Sequence, residues 1–576
     1  MTFPSYSGDG ADLHRRLSAV VAPGRDVRRV SLSFPVVLII AAAYLIPGLF
    51  GHDPWKQDEA YVFGITQHFL DSGDWVVPMV AGEPFMEKPP LYYWVAAACA
   101  WLLSRWIPLH DGARLATGIF MALTFSAVGS TVRRWWGSGY GRFAVLALLG
   151  CLGLIWYGHL MLTDVPVLTG FAISASGFAL ARSRALAGGL LIGIGIGVGF
   201  LAKGLLTPGV LGLTAALLPI CFSNWRNRTY FHALAIALLA ALPWLLIWPI
   251  ALYLRSPSLF IDWFWLNNIG RFIGFSVPTL GAASSKGYWL HIIPWFTFPA
   301  LPLALTTVWQ RRTTISTSAP IQFSLVSSGL LMTLLVMSAS ARPSYALPLL
   351  VVLCVLAAPA AVALPARIDR FWDLASRALF GTIAASMWTL WLWMMVKARP
   401  PHWPPLIHYL PEDFLPTLDF DAIAIAPLLT LSAAVYVGHL SNIRGRGLIS
   451  WTIGMTLAWG LVCTLFLPWL DYAKSYRSVF VSMQAVLPQT YGCMASSGLG
   501  ESERAMLGYI VGINTQRREI VPTARCNLLL INGKTAWPPH EMDLKNWTLI
   551  WEGARPGDTR EHFWLFRATS QNPLTD

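Results

Sequence analysis

The residues with chemical potential lie outside the long apolar runs of this chain. The stretch 83-EPFMEKPPLYYW-94 sets Glu87 beside Lys88, then Pro89, Pro90 and an aromatic cluster. Proline fixes φ and restricts the residue before it, so the backbone just beyond Lys88 is held rigid. A rigidly mounted ammonium is a point charge suited to holding an anion, and Arg271 offers a planar fork for the same purpose. Carboxylates stand at Asp58, Glu59 and Asp164, where they could orient a group or take up its proton. Lys203, at the end of a Gly-rich apolar run, is a second candidate anion contact. Glu87 with His159 or His291 would supply oxygen and nitrogen ligands for a divalent metal.

The elements that must position these residues are membrane helices. Of 576 residues, 55% are hydrophobic and 12% charged, more apolar surface than a soluble fold covers. Runs such as 31-SLSFPVVLIIAAAYLIPGLF-50 and 448-LISWTIGMTLAWGLVCTLFLPWL-470 have the length a helix needs to cross hydrocarbon. Lys and Arg outnumber Asp and Glu by 41 to 29. Because the arginines fall between apolar runs, they read as topology signals rather than as a nucleic-acid patch.

Basic clusters at Arg15/Arg16/Arg25/Arg28/Arg29, Arg133/Arg134/Arg142, Arg182/Arg184, Arg226/Arg228, Arg311/Arg312, Arg367/Arg370 and Arg444/Arg446 all belong on the cytoplasmic side by the positive-inside rule. An even number of crossings must separate neighbouring clusters. Three apolar runs precede Arg133, so one of them cannot cross. The run 89–106, which opens on two prolines, is rich in Tyr and Trp and ends near Arg105, fits a helix lying at the interface. The count is about 13 spans, with the N-terminus inside and the C-terminus outside. Asp58, Glu59, Glu87, Lys88, Asp164, Lys203 and Arg271 then share the outer face.

The organisation expected is a basic cytoplasmic N-terminus (1–30), an all-α polytopic membrane region (31–470) with a first outer loop at 51–112, and an external α/β domain (471–576). The last has ordinary polarity and strand-like runs at 527-NLLLI-531, 547-WTLIW-551 and 563-FWLFR-567. Cys493 and Cys526 lie in it and could pair in an oxidising compartment. The other five cysteines sit in apolar stretches and read as inert buried thiols. No Walker loop, dinucleotide fingerprint or zinc-type cysteine spacing occurs.

The run 58-DEAYVFGITQHFLDSGDWVVPMVAGEPFMEKPP-90 resembles the first periplasmic loop of the bacterial aminoarabinose (lipid A) transferases, GT-C membrane glycosyltransferases related to protein O-mannosyltransferases. Further matches are 163-TDVP-166, 201-LAKG-204, 271-RF-272, 294-PWF-296 and 343-PSY-345, in order along residues 30 to 470. The resemblance implies a sugar donor carried on a polyprenyl phosphate, an inverting transfer on the outer face of the inner membrane, and a periplasmic C-terminal domain. It gives Lys88, Arg271 and Lys203 the donor phosphate and makes Asp58 the general base if the acceptor is a hydroxyl. If the acceptor is itself a phosphate, Asp58 would orient it or stabilise positive charge on the sugar. Glu59 would assist Asp58 or a metal, and Asp164 would be the second acidic residue of such sites. The acceptor would be a lipid A-like glycolipid, a glycan or a protein.

Departures from that pattern affect the pocket. Tyr61 and Val62 stand where those enzymes have Arg and Tyr, Asn268 where they have a metal-binding His, and Ala341, beside Arg342, where they have Lys. These changes bear on the metal and on sugar and acceptor specificity. Two other classes fit a polytopic chain: a secondary transporter, and an inactive lipid-binding scaffold. Transporters place ionisable groups near mid-membrane. Here the spans are nearly free of charge and the carboxylates collect in outer loops, which favours an enzyme.

Overall fold

The structure, a computed structural model, describes residues 32–276, 285, 287–402, 410–440, 443–522, 525–534, 544, 546–558 and 561–569. The first basic cluster and the N-terminal segment 1–30 lie outside the described residues. Among the described residues, nine helices are long and apolar enough to cross a membrane. The pair Tyr288–Phe296 and Ala300–Gln310, bent by 88°, adds a tenth if counted as one span. Four shorter apolar helices accompany them, Phe34–Leu45, Leu91–Leu103, Tyr140–Leu149 and Leu206–Cys221. The chain is a multi-pass membrane protein.

Small residues set the closest helix contacts, as expected where lipid removes the hydrophobic drive between helices. A Cβ built on Gly170 would lie 2.5 Å from the carbonyl oxygen of Gly195, so Asp164–Ala181 and Ala185–Lys203 touch backbone to backbone. Gly189 and Gly193 admit Arg228–Arg255 on the other side, with the Ala233 and Ala237 carbonyl oxygens 2.5 and 2.4 Å from their Cβ positions. Threonines one heptad apart on Leu109–Trp136 stitch it to its neighbours. Thr117 meets the Tyr92 hydroxyl at 2.6 Å, Thr124 meets Thr169 at 2.9 Å and Thr131 meets Ser176 at 2.7 Å.

The helix Leu91–Leu103, 13 residues long, follows Pro89 and Pro90. It buries Tyr92, Tyr93, Ala96, Ala97 and Ala100 while Trp101 and Trp106 stay more than 70% exposed. This amphipathic character suits the interfacial position expected of it. The first apolar run forms a shorter helix than its hydropathy suggested, Phe34–Leu45, with irregular chain from residue 46 on, where Pro47 and Gly48 fall.

Beyond the last long helix, five strands form a sheet in the order 516–517, 494–497, 528–533, 562–568, 547–553. The first two pairings are parallel and the last two antiparallel. The three longest strands coincide with the strand-like runs read from sequence, and Cys493 and Cys526 form a disulfide at its edge. The helix Glu501–Val511 leaves this sheet to pack on Asp58–Ser72, where Gly64 leaves just enough room for Ala505 (Cβ position 2.6 Å away).

Candidate active site

The segment after Phe34–Leu45 leads into the helix Asp58–Ser72, which carries Asp58 and Glu59 in its first turn and stops at Gly73 in the left-handed conformation. Acidic side chains suit a helix N-terminus, where free N–H groups and the macrodipole favour negative charge. Neighbouring helical residues point about 100° apart, so the two carboxylates diverge. Asp58 faces an open cavity. Glu59 turns inward and is buried, accepting from Arg114 Nε at 3.1 Å and from the Met161 backbone N–H at 3.1 Å. Arg114, fully buried, also donates to Asp111 at 2.8 Å and to the carbonyls of Leu49 and His52. Glu59 therefore ties the loop to the helices and does not line the cavity that Asp58 borders.

Asp58 is surrounded by residues from distant parts of the chain. Tyr61, three residues on and so on the same helix face, donates its hydroxyl to Asp58 Oδ1 at 2.6 Å. The same oxygen lies 3.3 Å from Arg342 Nη1. Lys88, buried, donates from Nζ to the Tyr61 hydroxyl at 2.8 Å. Glu87 stands on the other side of Lys88, with Oε1 3.8 Å from Nζ and 2.6 Å from Arg271 Nη1. The result is a chain of alternating charge, Arg342–Asp58–Tyr61–Lys88–Glu87–Arg271.

Burial by itself would raise the Glu87 carboxyl, but Lys88 and Arg271 outweigh that and hold it down at about 2. Burial, with the Asp58 and Glu87 charges, pushes the Tyr61 phenol well above its ordinary value, so it remains a neutral donor.

This chain borders two cavities. One of about 1040 Å³ is lined by Asp58, Tyr61, Glu87, Arg271 and Arg342, and on its outer side by Gly498, Gly500, Glu501, Ser502, Glu503 and Asn532. The C-terminal segment thus roofs the site, a placement its sequence gave no sign of. The other, of about 350 Å³, is walled by Leu205, Leu206, Leu213, Phe272, Leu334 and Leu335, with Lys88, Lys203 and Arg271 as its cations. Glu87, Asn267 and Arg271 line both.

Lys203 and Asp164 come together as an ion pair at the border of the smaller cavity. Asp164 is buried at the start of its helix, where it neutralises Lys203. Tyr345 covers this pair, its ring centroid 3.7 Å from Lys203 Nζ. Tyr345 lies in the turn Pro343–Ala346 and Arg342 just before it, held in extended backbone by the proline.

The residues present do not fit a metal. Glu87 is engaged by Arg271 and Lys88. His159 is buried, with its ring nitrogens 2.7 and 2.8 Å from the carbonyls of Ile155 and Tyr44, while His291 is exposed. Asn268 donates from Nδ2 to the Trp263 carbonyl at 2.8 Å and accepts from the Leu205 N–H at 3.4 Å. Among the described residues no three His, Cys, Asp or Glu side chains converge.

Tyr61, Arg342 and Tyr345 were not singled out as site residues by sequence reasoning. The i, i+3 spacing from Asp58 could have flagged Tyr61, and the Arg-Pro-x-Tyr run could have flagged the other two. Nothing local could have tied Arg342 to Asp58, 284 positions away.

No family model matches the chain. It is 30% identical over 329 residues to the undecaprenyl phosphate-alpha-4-amino-4-deoxy-L-arabinose arabinosyl transferase of Pseudomonas aeruginosa strain LESB58, covering 54% of this chain and 56% of that one. The similarly named protein of Serratia proteamaculans is 27% identical over 297 residues, 48% of this chain and 50% of that one. The chain is a homologue of the aminoarabinose transferases. The aligned regions span about half the length of these curated relatives. The crystal structure of ArnT from Cupriavidus metallidurans bound to undecaprenyl phosphate superposes with a TM-score of 0.67 at 16% identity, covering 94% of this chain and 98% of that one. The fold of these transferases therefore extends over nearly the whole chain, including the part beyond the sequence match.

Proposed function

We propose that the protein is an inverting glycosyltransferase, moving a sugar from a polyprenyl-phosphate donor to an acceptor in the cell envelope. The observation that carries this reading is the shared wall at Glu87 and Arg271. On one side lies an apolar cavity with Lys88 and Arg271 at its rim, suited to a lipid phosphate; on the other lies a polar cavity with a carboxylate, suited to a sugar and its acceptor. A sugar whose phosphate sits by Lys88 and Arg271 presents its anomeric carbon towards Asp58.

The leaving group is already a good one, so the protein must hold its growing charge and orient the acceptor. Lys88 and Arg271 supply the first function as ammonium and guanidinium donors. With a hydroxyl acceptor, Asp58 takes the proton as the oxygen attacks the face opposite the phosphate. The Tyr61 hydroxyl and Arg342 fix that carboxylate in place. The relatives' name speaks for an aminoarabinose donor on undecaprenyl phosphate, and the acceptor is a lipid A-like glycolipid, a glycan or a protein.

The same reading places the site and the C-terminal sheet in the periplasm and the chain in the inner membrane. Nine long helices, the bent pair and the helices Phe34–Leu45, Tyr140–Leu149 and Leu206–Cys221 make about 13 crossings, with Leu91–Leu103 at the interface. Residues 471–576 act as an external α/β domain that closes the acceptor side.

The test is mass spectrometry of envelope lipids, glycans and proteins from a deletion strain complemented with wild type, Asp58→Asn or Lys88→Ala. A species gaining one sugar with the wild type alone, with polyprenyl-phosphate sugar accumulating in both variants, identifies donor and acceptor. Wild-type patterns from both variants would remove the site from consideration.

A further inference from the structure

In the aminoarabinose transferases that this chain resembles, the position of Asn268 carries a metal-binding His, and Glu87 is the matching candidate ligand here. The side chains of this chain are committed otherwise. Asn268 has its amide spent on the backbone of Trp263 and Leu205, and the Glu87 carboxylate rests between two cations, 2.6 Å from Arg271 and 3.8 Å from Lys88. Those two cations line the apolar cavity in which the donor phosphate would sit, and Glu87 lies in the wall between the cavities. An anion thus already occupies the donor-phosphate seat.

We propose that Glu87 is an exchangeable counter-ion of that seat: it holds Arg271 and Lys88 while the seat is empty, yields them to the donor phosphate, and takes them back when the polyprenyl phosphate leaves. This rests on the donor reading given above.

Three physical points support the exchange. Arg271 and Lys88 would repel each other without an anion between them, so the empty seat needs one. A guanidinium binds carboxylate and phosphate through the same fork, and the donor is a phosphodiester whose single negative charge matches that of the carboxylate, so its lipid tail, buried against the apolar wall of the cavity, lets the donor win the contact. The displaced carboxylate has somewhere to go, because Glu87 also borders the larger, polar cavity, where Arg342 adds to the positive potential that keeps it ionised. There it stands beside the sugar, able to accept hydrogen bonds from its hydroxyls. A returning carboxylate competes with the product phosphate, which speeds release of the spent lipid.

Binding of a short fluorescent polyprenyl monophosphate to the purified full-length protein in detergent tests this directly, with EDTA present. Glu87→Gln keeps the shape and removes the competing charge, so it should bind at least about tenfold tighter than wild type, chiefly through slower dissociation. Glu87→Asp keeps the charge and should stay within about threefold of wild type. Equal or weaker binding by Glu87→Gln overturns the exchange while leaving the donor reading intact. Failure of the wild type to bind polyprenyl phosphate at all overturns the donor reading itself. Zinc or magnesium that tightens binding to wild type but not to Glu87→Gln makes Glu87 a metal ligand and also overturns the proposal. Should Glu87→Gln fail to fold, structures of the wild type with and without polyprenyl phosphate decide it. The Glu87–Arg271 contact should be broken in the complex, and its persistence with phosphate bound refutes the exchange.

Discussion

The Tyr61 hydroxyl accepts from Lys88 Nζ at 2.8 Å and donates to Asp58 Oδ1 at 2.6 Å, so one phenol spaces a cation of the smaller cavity from a carboxylate of the larger one. Tyr61→Phe removes both bonds and leaves Lys88 buried with fewer acceptors. The expected outcome is a fall in kcat of about tenfold to a hundredfold with little change in the folded fraction. Lys88→Ala should cost more, about a hundredfold to a thousandfold, since it removes charge from the leaving group. Single-turnover transfer assays on purified variants check both.

Asp58→Asn separates the two acceptor chemistries. With a hydroxyl acceptor the proton has no destination and kcat should fall by about a hundredfold or more, with the remaining rate rising with pH. With a phosphate acceptor the loss should be about tenfold or less and flat in pH, because only orientation is removed. The pH–rate profile of the variant with its identified acceptor decides between them.

The roof is attached to the first loop by a buried ionic knot. Lys56 reaches Glu503 at 2.5 Å and Glu561 at 2.8 Å, and Arg555 holds Glu561 from the other side at 2.9 Å. Arg555 and Glu561 are both about 94% buried. Arg555→Met leaves a carboxylate without its strongest partner, at an expected cost of about 3–5 kcal/mol in the stability of the C-terminal segment. Limited proteolysis should then cut near residues 498–520 before the membrane helices lose their far-UV signal. Equal protection in variant and wild type would argue against the knot holding the roof.

His52 sets an acid limit on stability. Burial first, then the Arg114 charge, pushes its imidazole down to about 4, while in the unfolded chain it titrates near 6.5. Its folded pKa is depressed, so between those values the unfolded chain binds the extra proton and stability falls as pH falls. The loss should amount to about 3 kcal/mol between pH 6.5 and 4 and then level off for this group. Glu87 behaves differently. Its contribution is fully present above its ordinary 4.5 and is lost only as pH drops toward about 2. Thermal melts from pH 7 to 4 should therefore show a decline that His52→Gln reduces and Glu87→Gln does not.

Much of this protein was legible along the chain. Apolar runs and arginine spacing give membrane helices, because crossing hydrocarbon demands long uncharged segments with their backbone bonds satisfied internally. Alternating strand-like runs mark the C-terminal sheet, and Glu-Lys-Pro-Pro marks a cation on a rigid backbone, because that is a local property. Direction and partnership were not local. Asp58 and Glu59 are adjacent in sequence and identical in chemistry, yet a 100° turn sends one to the cavity and the other to Arg114. Asp164 and Lys203, read as separate site residues, neutralise each other because two helices meet at Gly170 and Gly195. Arg342 reaches Asp58, and Glu87 takes Arg271, only because helix packing brings distant loops to one face. Charges in a low-dielectric site choose partners by distance, and distance between loops is decided by the packing of the whole bundle.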